Sequence, residues 1–90
     1  MAPDEKGNAL QPVSPSRAAK ELAHLSQMAK DGELDKDEYE HRFARMVGEL
    51  RERRISGSRQ EILAAIQPLV GSGLILPAEF ERFTRQLGLA

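Results

Sequence analysis

Three kinds of side chain in this 90-residue chain could do chemistry: carboxylates, imidazoles and guanidinium groups. Glu38 and Glu40 are two apart, so on a helix they diverge by about 200° around the axis and cannot converge as an acid–base pair. His24 and His41 are the only histidines. They fall in different elements, whereas a zinc site gathers three or four donors. Cysteine is absent, which excludes disulfides, thiolate nucleophiles and cysteine-ligated metals. No catalytic residue, cofactor ligand or metal ligand is assigned, and the chain is expected not to be an enzyme. The guanidinium groups remain. Arg51, Arg53, Arg54 and Arg59 crowd around Ile55-Ser56-Gly57-Ser58, a patch that could hold the phosphates of a nucleic acid or face a protein partner. A recognition helix after this junction would carry Arg59, Gln60 and Gln67 as its few polar readers and is otherwise mostly apolar, which favours the protein partner.

The elements that position these residues follow from periodicity. Ala18, Leu22, Leu25 and Ala29 form one apolar stripe at helical spacing and predict a helix over Arg17–Lys30, capped by Ser16 and ended by Gly32. Asp35 with Glu38 is a capping-box pattern that opens a second helix. Tyr39, Phe43, Met46, Val47 and Leu50 extend it to about Arg54, before Gly57 breaks it. Ser58 with Glu61 is a second capping box. It opens a third helix carrying Ile62, Leu63, Ile66, Leu69 and Val70, with a kink or an early end near Gln67 expected from Pro68. Pro77 suits the first turn of a fourth helix, whose inward stripe is Phe80, Phe83 and Leu87 and whose end is Gly88. No segment alternates with period two over strand length.

Two halves of the chain are the same unit written twice. Leu22, Leu25, Met28, Gly32, Leu34, Glu38 and Tyr39 match Leu63, Ile66, Leu69, Gly73, Ile75, Glu79 and Phe80, each pair 41 residues apart. A unit this small cannot bury its apolar face alone and must stack on its twin. The chain therefore reads as all-α: a disordered N-terminal arm over residues 1–15, then a four-helix domain made of hairpin one (16–55) and hairpin two (58–90). The arm is assigned from Pro3, Pro12, Pro15, Gly7 and Asn8, with too few apolar residues to offset ordering entropy.

The turn sequences resemble two families. Asp31-Gly32-Glu33-Leu34…Glu38-Tyr39 and Ser72-Gly73-Leu74-Ile75…Glu79-Phe80 are similar to the second half of EF-hand calcium loops, with Glu38 and Glu79 at the closing-glutamate position. The front half departs from that pattern: Gln27 and Ala29, and in the second copy Pro68 and Val70, stand where acidic ligands belong. Helix, Gly-x-Leu/Ile, three residues, then Glu-Tyr/Phe-Glu also resembles the short C-terminal domain family, SHOCT, of bacterial proteins. That likeness spans some two-thirds of the chain in two copies, and Leu76 replaces the usual capping hydroxyl in the second. It implies an interaction or oligomerisation module without cofactor.

Composition sets the remaining bounds. Thirteen basic against fourteen acidic residues leave a formal charge of −1, too little for a global field that steers nucleic acid or an anionic membrane. Acids cluster from Asp31 to Glu40 and arginines from Arg42 to Arg59, the order that a helix dipole favours along the second helix. No signal peptide is evident in the polar start, and no apolar run approaches the about 20 residues of a membrane span. A bacterial, cytoplasmic, non-catalytic interaction module follows, with a protein partner or self-association through Leu74, Leu76 and the arginines at 51, 53, 54 and 59. A dimer is plausible because the core is small, and a nucleic-acid-binding regulator is the alternative.

Overall fold

Four helices follow one another in the computed structural model, which describes residues 11–89: α1 (Pro15–Lys30), α2 (Lys36–Arg53), α3 (Arg59–Gly71) and α4 (Pro77–Gln86). They form two helix–turn–helix hairpins, α1–α2 and α3–α4, and α1 makes its most extensive contact with α3. The repeat holds at the level of single hydrogen bonds. In the first turn Glu33 N–H donates to the Met28 carbonyl (2.9 Å) and Gly32 N–H to Ala29 (3.2 Å). In the second, Leu74 N–H donates to Leu69 (3.0 Å) and Gly73 N–H to Val70 (3.0 Å). Gly32 and Gly73 sit at φ +79° and +82°, a conformation that glycine adopts without steric penalty. Leu34 and Ile75, two residues further on, are both buried between their helices.

Both capping boxes form as predicted. Asp35 Oδ1 accepts the Glu38 N–H at 2.8 Å while Glu38 Oε1 accepts the Asp35 N–H at 3.2 Å. Ser58 and Glu61 exchange the same pair of bonds at 3.1 and 2.7 Å.

Four features depart from the sequence reading. First, α1 starts at Pro15 and is capped by Ser14, whose Oγ accepts the Arg17 N–H at 3.1 Å. Ser16 is the second residue of that helix. Proline has no N–H to satisfy and its φ is pre-set, so it takes the first helical position and the cap must precede it. Second, residues 11–15 are built into the fold. Val13 is only 2% exposed and pairs with Ile55 as an isolated parallel bridge. Its N–H donates to the Arg54 carbonyl (2.9 Å) and its carbonyl accepts the Ser56 N–H (2.8 Å). Residues 1–10 of the expected arm lie outside the described residues. Third, of the kink or early end expected at Pro68 the early end does not occur: α3 passes Gln67 and continues to Gly71. Pro68 and Ala64 are both exposed, so the carbonyl that loses its helical donor can turn to water, and the last turn closes with Ser72 N–H on the Pro68 carbonyl at 2.9 Å.

The fourth departure is at the end of α2. Arg54, not a glycine, turns the chain there, at φ 72° and ψ 152°. An L-residue in this nearly glycine-only region carries about 1–3 kcal/mol of strain. The turn is held by Arg54 N–H on the Leu50 carbonyl (2.7 Å) and by the Val13 bond to its own carbonyl.

One apolar cluster runs through both hairpins. Leu25, Phe43, Ile66 and Phe83 are all buried, and Leu22, Leu50 and Ile75 join them. Phe43 of α2 and Phe83 of α4 are 0% exposed and meet edge to face at 6.2 Å between centroids, while Tyr39 stacks on Phe43 at 5.9 Å. Phe80 and Leu87 are half-buried at the margin. Such aromatic pairs add roughly 0.5–1.5 kcal/mol beyond their buried area.

Candidate functional site

The two hairpin turns lie side by side and leave a cleft between them. Its volume is about 470 Å³, and it is lined from the second turn by Leu74 and Leu76 and from the first hairpin by Ala29, Leu34 and Tyr39. Leu76 stands out. It is the one large apolar side chain described as exposed, at 64%. Leu76 is also the N-cap of α4, the place that Asp35 takes in hairpin one, and no side-chain cap bond forms there. Only the reciprocal half of the capping box survives, with Glu79 Oε1 accepting the Leu76 N–H at 3.0 Å. Leu74 is half-buried beside it.

Polar groups fix the cleft's floor and rim. Lys30 Nζ donates to the Gly73 carbonyl at 3.0 Å, which ties the end of α1 to the second turn. Tyr39 Oη donates to Glu79 Oε2 at 3.0 Å, so one carboxylate both caps α4 and anchors α2. Burial, and then the adjacent Glu79 charge, push the Tyr39 phenol up to about 12. The Ser26 hydroxyl, 4% exposed, interacts with that phenol but meets no partner in hydrogen-bonding geometry. None of Ser26, Lys30, Tyr39 or Glu79 is singled out as a cleft residue by its own type. The signal lies in the repeat, because stacked twin hairpins put residues beside Gly32 against residues beside Gly73.

The phenol supplies a direct test of this geometry. Tyr39 is the only tyrosine and tryptophan is absent, so tyrosinate absorbance reports on this group alone. Its folded value lies above the usual 10.0, so its contribution to stability is whole below pH 10 and is lost as pH rises from 10 towards 12. The tyrosinate midpoint is expected near 12 while the chain stays folded. A midpoint near 10 in folded protein would contradict the burial of this phenol against Glu79.

A second cross-link lies further along α2 and α4. Arg82 holds Glu40 with two bonds, Nη1–Oε2 at 3.0 Å and Nη2–Oε1 at 2.5 Å, and its guanidinium lies 4.3 Å over the Phe43 ring. The hydrogen-bonded Arg82 keeps the Glu40 carboxyl below the usual carboxylate range. Both side chains are partly exposed, so this pair is salt-screened and contributes mainly orientation.

The arginine junction is at the other end of α2. Arg53 Nε donates to the Gln11 carbonyl at 3.0 Å, and Arg59 Nε donates to the Leu89 carbonyl. Arg51 and Arg54 edge a notch of about 270 Å³ floored by Leu50, Ile62, Leu87 and Leu89. The structure therefore brings Leu74 together with Leu76 in one cleft and Arg51 together with Arg54 in a separate notch, while Arg53 and Arg59 are tied to the Gln11 and Leu89 carbonyls.

Glu38 and Glu79, at the closing position of the EF-hand-like pattern, both serve as N-terminal caps. Gln27 and Ala29 lie inside α1, which runs on to Lys30. Among the described residues no group of three or more His, Cys, Asp or Glu side chains is gathered as a metal site. His24 and His41 are exposed. No described helix is long and apolar enough to cross a membrane.

No protein-family model, curated protein or solved structure matches this chain. The functional reading therefore rests on the two surfaces themselves.

Proposed function

We propose that the chain is a small, non-catalytic protein-interaction module of the bacterial cytoplasm, whose partner seats an apolar side chain in the cleft between the hairpin turns. Leu76 carries this reading. At an N-cap, a serine or aspartate contributes about 1 kcal/mol over an apolar residue, and the first hairpin uses Asp35 there. The second hairpin instead holds a leucine 64% exposed beside an apolar cleft. An exposed leucine at a position where a capping side chain would stabilise the helix, beside an apolar cleft, supports a contact outside the fold. The SHOCT-like turn sequences favour the same class of function. Self-association through this surface would be one form of it.

Leu76→Ser separates the two roles of the position. The variant regains a capping hydroxyl and loses the apolar contact. It is expected to be more stable than the parent by roughly 1 kcal/mol in denaturant unfolding. It should also lose the proteins that the parent retains from extracts of the native host, while Glu49→Ala, on the exposed outer face of α2, keeps them. Undiminished capture by a stabilised Leu76→Ser chain would overturn the proposal.

A further inference from the structure

The arginine junction carries an inference that is independent of the Leu76 cleft. Charge placement there runs against local physics twice. Arg59 is the first residue of α3, where the helix dipole disfavours a cation. Arg54 occupies a backbone conformation suited to glycine, and its exposed side chain makes no hydrogen bond or ion pair with another described residue in return. The dipole at the end of α2 accounts for Arg51 and Arg53 but for neither of these.

No carboxylate among the described residues pairs with these four arginines. Among the described residues the ion pairs are Arg17 with Glu21 and Arg82 with Glu40. Arg53 and Arg59 donate to neutral carbonyls, and neither forms an ion pair among the described residues. Nearby acids are directed elsewhere: Glu61 is spent on the Ser58 cap, and Glu49 and Glu52 line the outer face of α2. The acidic first turn of that helix, Asp37 and Glu38, lies about 20–24 Å away along its axis.

Between Arg51 and Arg54 lies the apolar notch floored by Leu50, Ile62, Leu87 and Leu89. We infer that this notch docks an acidic, amphipathic segment of a partner protein. An apolar side chain fills the notch and flanking carboxylates pair with the guanidinium groups, which offer planar, bidentate donors that match a carboxylate. The floor decides between a peptide and a nucleic acid. It is aliphatic, with no aromatic ring on which a base could stack, and Arg51 and Arg54 line one compact notch rather than tracking a phosphate strand.

The test uses the full chain and a labelled synthetic peptide in which aspartates flank a Leu-Phe pair, followed by fluorescence anisotropy at low salt. Saturable binding is expected. Arg54→Gly should weaken it about tenfold while raising the unfolding midpoint, because glycine relieves the backbone at that position. Arg51→Gln, on the exposed side of α2, should weaken it without touching that backbone. Leu76→Ser should bind like the parent, so failure here and failure of the cleft proposal give different patterns. Absence of saturable binding would overturn the inference. So would unchanged affinity in both arginine variants, equal binding of an all-aspartate peptide, or preferential displacement of the peptide by a single-stranded oligonucleotide of equal charge.

Discussion

Phe43→Ala is expected to lower the stability of this chain by about 3–5 kcal/mol, the largest effect of any single substitution considered. Phe43 is fully buried in α2, faces Phe83 of the other hairpin edge to face, and carries the Arg82 guanidinium on its ring. Alanine leaves a cavity where the two hairpins meet. Domains of this size hold only a few kcal/mol in reserve. A large share of the variant should therefore be unfolded without denaturant, and urea titration with circular dichroism would show the missing native baseline. A loss under about 1 kcal/mol would mean that the ring is not at the junction.

Ile66→Ala ranks second, at about 2–5 kcal/mol. Ile66 is 0% exposed on α3, the helix against which α1 packs most extensively. Its removal strips the α1–α3 contact from the α3 side, so the penalty should spread to hairpin one even though hairpin one's own sequence is intact. A purely local role would confine the loss to hairpin two.

Most of the helical framework was legible because its signals are local. Gly32 and Gly73 stop helices through their own backbone freedom, and Asp35 with Glu38 and Ser58 with Glu61 start helices through bonds that span three residues. What stayed hidden is long-range. Val13 sits alone among prolines and reads as an arm, yet its partner Ile55 lies across the whole first hairpin. The Tyr39–Glu79 and Glu40–Arg82 links join residues 40 and 42 apart, and no spacing rule identifies such pairs. Arg54 gives no compositional warning of positive φ, because the Val13 and Leu50 bonds impose it. Ser14 and Ser16 both suit a cap, and the Pro15 between them decides in favour of the first.

The candidate surfaces were partly visible for a similar reason. Leu76 could be noticed as a missing capping hydroxyl by comparison with Asp35, and the arginines by their crowding. Their surroundings could not: Lys30 reaches across the cleft to Gly73, and Leu87 and Leu89 line the notch together with Leu50. Both surfaces depend on twin hairpins holding together as one body.

Equilibrium unfolding of Ile66→Ala, read through two probes at once, examines that dependence most directly. Tyr39 is the single tyrosine and tryptophan is absent, so its fluorescence reports on α2 where the phenol meets Glu79 of hairpin two, and far-ultraviolet circular dichroism reports on all four helices. Coincident transitions, both displaced to lower denaturant by the same amount, are predicted. A Tyr39 transition left at its parental midpoint while the helical signal is lost earlier would show that the hairpins stand separately, and would contradict the shared core.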